Sequence, residues 1–273
     1  MNSLATKIEQ LIDQTGAECV GVAAVDLETG QELFLNADVP SHPASTMKVC
    51  VMMELFRQAF EARFSLDKEI VVRNSFVSIA DGSFFSVSRE DDAEPSLYDR
   101  MGQRVSLREL NRLMIVRSSN LATNLLIELV SASSVTETMK KLGAGDLLVL
   151  RGPEDNRAYA AGLNNVATAR GMTQILRCLA EGQFISPEAS REMVEVLLGQ
   201  EFNTGLPANL PKNVSVAHKT GWIDRHFHDV GILLSEGCQP LILSVMTRGI
   251  EREEDGFGLI ARISAAIWES VVG

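Results

Sequence analysis

The chain is 273 residues long and 45% hydrophobic, enough to bury a sizeable core as one large domain or two intertwined ones. Its net charge of −11 and isoelectric point near 4.9 argue against a nucleic-acid or anionic-membrane partner. Cys19, Cys50, Cys178 and Cys238 are widely spaced and form no metal-like pair, so neither a metal nor another cofactor is implied.

Met1 to Lys7 lacks a basic-then-apolar signal pattern, and no apolar run approaches membrane-spanning length. As it stands, the sequence is expected to be soluble, cytoplasmic and without a membrane partner. Leu4, Ile8, Leu11 and Ile12 recur at helical spacing, and Gly16 ends that helix. Residues 19–25, a turn at Glu28-Thr29-Gly30 and residues 32–35 form a predicted hairpin. A helix beginning near Ser45 is predicted to run to about Phe64, with Cys50 as a small core residue on it. The less regular residues 65–105 include an acidic stretch, Ser88 to Asp99, expected to be a solvated loop.

Ser106 and Glu109 spell a capping box for the next helix. A break at Arg117-Ser118-Ser119-Asn120 separates it from a helix over Leu121 to Val130. A short helix from about Ser134 to Leu142 ends at Gly143. Residues 145–165 have little period and form a long loop, a length often tied to function. Helices near 166–181 and 187–199 follow, then strands over Val214–His218, Val230–Leu234 and Leu241–Val245. An amphipathic helix, Phe257–Val272, closes the chain.

These elements give an α+β fold: an antiparallel sheet flanked by amino- and carboxy-terminal helices, with an all-helical block inserted. Residues 1–41 and 214–273 are expected to form the sheet domain and residues 42–213 the helical domain, with the active site at their interface.

Ser45 near the first turn of its helix has Lys48 one turn later on the same face. A serine hydroxyl needs a base to become a nucleophile, and an amine serves if burial or a neighbouring cation lowers its pKa. Ser-x-x-Lys is expected about once by chance in such a chain, and a second copy stands at Ser65-Leu66-Asp67-Lys68. Lys219-Thr220-Gly221 is rarer, roughly once in fifteen or twenty chains. Ser118-Ser119-Asn120 alone is a common loop tripeptide. Order and context select among them: Ser45 opens a helix, Ser118 lies in an inter-helix break, and Lys219 lies on a strand in the second half.

In this combination the chain resembles the penicillin-recognising serine hydrolases, class A β-lactamases in particular. The resemblance implies that Ser45 attacks a lactam or ester carbonyl, with Lys48 as proton acceptor in the field of Lys219. It implies an oxyanion hole from the backbone N–H groups of Ser45 and Trp222, and a proton relay through Ser118 to the leaving nitrogen. Asn120 would bind the substrate amide, and Lys219, Thr220 and Gly221 its carboxylate end. Ser119 stands where class A enzymes usually have aspartate.

Class A enzymes also resemble one another in a loop reading Arg-x-Glu-x-x-Leu-Asn, which positions the deacylating water. Here the loop reads Arg151-Gly152-Pro153-Glu154-Asp155-Asn156-Arg157, with Glu154 one residue too far from Arg151, and Leu163-Asn164 follows late. Glu154 is either the deacylating base or a loop carboxylate paired with Arg157. His228 and Asp229 either orient one another or anchor a strand. Arg225 and Arg248 are candidate carboxylate contacts that read first as surface arginines, and His42 reads as packing at the helix approach. Three functions compete: a β-lactamase acting on small-molecule lactams, a D-alanyl-D-alanine peptidase or esterase that lactams acylate but leave slowly, and a non-catalytic binding module.

Overall fold

Apolar side chains along the strands of the main sheet alternate between two cores, and this alternation fixes the architecture. The computed structural model describes residues 2–272. Helix α1 (Asn2–Asp13), strands β1 (Cys19–Asp26) and β2 (Glu32–Leu35), and a 3-10 turn over Ala44–Met47 lead into α2 (Lys48–Phe60). Short strands β3 (Glu69–Val71), β4 (Phe76–Val77), β5 (Phe84–Phe85) and β6 (Arg104–Ser106) follow, with a second 3-10 turn over Pro95–Arg100. Next come α3 (Leu107–Val116), α4 (Asn120–Val130), α5 (Ala132–Lys141), α6 (Asn156–Ala160), α7 (Ala169–Ala180) and α8 (Pro187–Leu198). The chain closes with β7 (Val214–Ile223), β8 (His226–Ser235), β9 (Leu241–Arg248) and α9 (Glu253–Val272).

The five-stranded sheet has the order β2-β1-β9-β8-β7, antiparallel throughout. Val20, Val22 and Ala24 of β1, with Leu241, Leu243 and Val245 of β9, face one core, filled by Ile8 of α1 and Ile260, Ile263 and Trp268 of α9. Ala23 and Val25 of β1, with Ile242 and Met246 of β9, face the other, shared with α2, α3, α4 and α7. The helical segments between β2 and β7 therefore pack on the sheet face opposite the terminal helices. Among the described residues no helix is long and apolar enough to cross a membrane.

Several predicted boundaries move, each for a local reason. The helix expected from Ser45 to Phe64 is regular only over Lys48–Phe60, because Ala44 takes a left-handed φ of 47° and the first turn winds as 3-10. Strand β7 runs five residues past His218 to Ile223, and its hairpin turn uses Arg225 at φ 56°. Lys219, Thr220 and Gly221 lie on this strand as expected, the first two polar yet fully buried, and only Trp222 and Ile223 extend it further. The capping box is half formed: Ser106 Oγ accepts from Glu109 N–H, but the Glu109 carboxylate turns to Arg100. The acidic stretch is not simply solvated, since Asp92 and Glu94 are buried. The long loop contains α6 and is pinned by a bridge between Leu148 and Val166. All four cysteines are free thiols, with Cys50 buried and its thiol pushed up to about 12.

His228 ties the sheet to the approach to Ser45. Its Nε2–H donates to the His42 carbonyl at 2.8 Å, and its Nδ1 accepts from Thr247 N–H at 3.1 Å. Complete burial brings its pKa down from 6.5 to about 4, so the folded ring is neutral where an unfolded one would be charged. This stabilisation is fully present above pH 6.5 and is lost as pH falls toward 4, a swing of about 3 kcal/mol. Urea titrations at pH 7 and pH 4 should show His228→Gln losing less stability than the unmodified chain over that interval. An identical loss in both would remove His228 as the cause.

Candidate active site

The first turn of α2, the α3–α4 break, the long loop and β7 converge on one cavity of about 440 Å³. Ser45, Lys48, Asn120, Glu154 and Trp222 line it, together with His42, Arg151, Asn156, Tyr159 and Asp224. Ser118 and Lys219 lie immediately behind this wall, reached through the hydrogen bonds of Lys48. Gly221 is pressed so closely on the Ser45 turn that a Cβ there would lie 2.7 Å from Ser45 N and 2.8 Å from Thr46 N. Thr220 is fully buried and does not line the cavity, and its hydroxyl has no hydrogen-bond partner among the described residues. The second Ser-x-x-Lys copy occupies a turn before β3, where Lys68 N–H bonds back to Ser65 O, and plays no part.

Lys48 is 1% exposed and its Nζ donates to Ser118 O at 2.7 Å, Asn120 Oδ1 at 2.9 Å and Ser118 Oγ at 3.2 Å. Burial takes its pKa from 10.5 down to about 7, against the pull of Asp92 and Glu154, which favour the ammonium. Lys219 Nζ donates to the same Ser118 Oγ at 3.0 Å and to Thr220 O at 2.8 Å. Burial first and the Lys48 charge second hold Lys219 well below the usual lysine range. A serine hydroxyl has two acceptor sites and one donor. With a lysine on each acceptor site, the Ser118 proton is left to point elsewhere. Ser45 Oγ makes no hydrogen bond to the protein among the described residues, as an unengaged nucleophile does before substrate aligns it.

Glu154 is in the cavity. Its Oε1 accepts from Asn120 Nδ2 at 2.8 Å and its Oε2 from Ser88 N–H at 2.6 Å. Burial is the largest influence on this carboxyl and raises its pKa despite those two bonds. Arg157, its expected alternative partner, instead lies 3.7 Å from Asp81. Glu154 itself takes a left-handed φ of 64°. The Asn120 amide thus links Lys48 to Glu154, and each of its two ends retains one unused site for a ligand.

Other expectations resolve differently. Asp229 pairs with His218 at 2.9 Å and not with His228, because adjacent strand residues face opposite sides. Arg225 pairs with Glu251 and Glu18, Arg248 lies 3.6 Å from Glu18, and neither lines the cavity. His42 Nδ1 accepts from Ala44 N–H, and burial brings the ring to about pKa 4, so its proton lies on Nε2, which is buried without a partner. Residues the sequence reading passed over also build the site. Asn124 Nδ2 donates to Asn120 O and Pro153 O, clasping the loop to α4; its place one turn after Asn120 was the available signal. Asp155 caps α6 and accepts from Ser78 Oγ and Ile79 N–H, so it tethers the loop to the β4–β5 hairpin.

A model of the β-lactamase enzyme family matches residues 3–271. The chain belongs to that family. Within the family, a β-lactamase from Bacteroides uniformis is 26% identical over 99% of this chain and 92% of its own length. The fold is that of a β-lactamase from Sphaerobacter thermophilus, with a TM-score of 0.84 at 24% identity over 98% of this chain and 97% of that one. It is equally that of PBP-A, with a TM-score of 0.84 at 22% identity over 100% of this chain and 97% of that one. As a member of this family the protein is a serine hydrolase, which makes a non-catalytic module the weakest of the three readings.

Proposed function

We propose that this family member hydrolyses β-lactams through an acyl-enzyme on Ser45, in the manner of class A. The observation that carries the reading is the convergence of two buried lysines on Ser118 Oγ while Glu154, joined to Lys48 through Asn120, lines the cavity that holds Ser45. In this reading Lys48, once it has lost a proton, gives up one of its three donated bonds and turns that lone pair to accept the Ser45 proton as the hydroxyl attacks the lactam carbonyl. The Ser45 and Trp222 backbone N–H groups then stabilise the tetrahedral oxyanion. The idle Ser118 proton passes to the departing nitrogen, and Lys219 replaces it. Asn120 binds the substrate amide with its unused sites, and protonated Lys219, from behind the cavity wall, attracts the substrate carboxylate through its charge, while Thr220 is buried off the cavity. Glu154 activates the water that clears the ester.

One observation favours a slower second reading, a peptidase or esterase that lactams trap. The asparagines late in the loop are committed, Asn164 Oδ1 to Arg151 and Asn165 to the backbone of Leu150 and Arg151. A variant of PBP-A is itself a penicillin G acyl-enzyme. Mixing the protein with a chromogenic cephalosporin, with absorbance and intact mass followed together, separates the readings. Steady turnover is expected; one stoichiometric burst with a lasting adduct would favour the second reading; no adduct, with p-nitrophenyl esters also untouched, would sink both. The acylation rate should rise with pH about a midpoint near 7, as Lys48 loses its proton. A rate flat from pH 5.5 to 8.5 would exclude Lys48 as the base.

A further inference from the structure

The Ser118-Ser119-Asn120 turn has a hydroxyl at its middle position, and a carboxylate from another loop binds that hydroxyl and the first turn of α4. Asp92 is 5% exposed. Its Oδ2 accepts from Leu121 N–H at 2.8 Å, Tyr98 OH at 3.1 Å and Ser119 Oγ at 3.2 Å, and its Oδ1 from Glu94 N–H at 2.9 Å. Leu121 N–H is one of the unpaired donors of the first turn of α4, where a negative charge is favoured. Ser119 meanwhile caps the helix by accepting from Ala122 N–H. The hydroxyl and the distant carboxylate together do what one aspartate side chain could do from within the turn.

We propose that Asp92 is a positioning residue for the acylation step, supplying from a neighbouring loop the carboxylate that the turn lacks and thereby holding Ser118 and Asn120 on the two lysines. The proposal rests on the reading of Ser45 as the acylated nucleophile. Ser118 has a left-handed φ of 58°, a conformation that a non-glycine residue keeps only when its surroundings enforce it. Asp92 grips the residues just after it, at 119 and 121. Its charge also acts on the machinery: it favours the ammonium of Lys48 and disfavours the anion of Glu154. The other charges facing this cluster are Glu154 on Lys48, Lys48 on Lys219, Asp91 on Glu154, and the Glu94–Arg117 ion pair beside the loop.

The test compares the unmodified chain, Asp92→Asn and the double variant Asp92→Asn with Ser119→Asp, which moves the carboxylate into the turn. Asp92→Asn should cut the acylation rate at least tenfold and move its pH midpoint to lower pH, since Lys48 loses a neighbouring anion. The double variant should recover to within about threefold, because aspartate and serine are comparable N-caps. A purely structural role would lower the rate with the midpoint unchanged and no rescue, and that result overturns the proposal. If Asp92→Asn does not fold, the double variant alone decides: wild-type-like acylation supports the proposal, and an inactive or unfolded double variant overturns it. Titration of Lys48 Nζ by 15N NMR needs no substrate, so it judges Asp92 even if lactams leave the unmodified chain unlabelled. Its midpoint should fall in Asp92→Asn, and an unchanged midpoint counts against Asp92.

Discussion

Replacing Glu154 by Gln is expected to turn a chromogenic cephalosporin from a substrate into a lasting label of Ser45. Gln keeps the size of the side chain and can still accept from either Ser88 N–H or Asn120 Nδ2, the two donors that hold Glu154. What it loses is the ability to take a proton from water. General-base catalysis is worth about 10²- to 10⁴-fold, so deacylation should slow by that factor. Acylation should persist within about tenfold, because Lys48, with its pKa near 7, is substantially neutral at physiological pH and needs no help from Glu154 to accept the Ser45 proton. The raised pKa of Glu154 fits a base that must hold its proton briefly before passing it on. Intact mass after mixing should show one adduct per chain that outlives the burst by hours. Unchanged turnover would strike Glu154 from the mechanism, and loss of the burst as well would make it the base for both steps.

The parts of this molecule that were legible in its sequence are those written in local chemistry. The near-continuous apolar runs of β1 and β9, the helical spacing of α1 and the serine at the start of α3 each report on neighbours within a few residues. Three short motifs in order were enough to place Ser45, Lys48, Ser118, Asn120 and Lys219 together. The misses share a different cause. Asp92 looked like a solvated loop residue because its partners at 119 and 121 are distant in sequence. The last two residues of β7, Trp222 and Ile223, lie past the glycine expected to end the strand, because their ladder partners on β8 are set by the hairpin and not by a local pattern. Spacing alone left Glu154 between two roles, and only its place in the cavity beside Asn120 and Ser88 separates it from Arg157. Each miss is a place where tertiary contacts outweigh local propensity, and each lies in or beside the cavity.

Gly221→Ala should cost far more activity than stability. The missing Cβ faces backbone: it would lie 2.7 Å from Ser45 N, 2.8 Å from Thr46 N and 3.2 Å from Ala44 Cβ. No side-chain rotation relieves that overlap, so β7 must retreat from the turn carrying Ser45, or that turn must move. The turn has little slack, since Ala44 is already left-handed and Thr46 Oγ1 is bonded to Pro43 O at 2.6 Å. Retreat of β7 separates the Ser45 and Trp222 N–H groups proposed as the oxyanion donors, and loss of one such donor costs about 10²- to 10³-fold in rate. Overpacking of this kind costs about 1 to 3 kcal/mol, a fraction of a typical domain's stability, so the variant should fold with a lowered melting temperature. Acylation should drop at least a hundredfold while Lys48 keeps its midpoint near pH 7, because its hydrogen-bond partners at Ser118 and Asn120 belong to the α3–α4 connection and not to β7. An alanine variant that acylates at the unmodified rate would show that β7 can yield without disturbing the oxyanion site, and the close approach of Gly221 would then have no catalytic meaning.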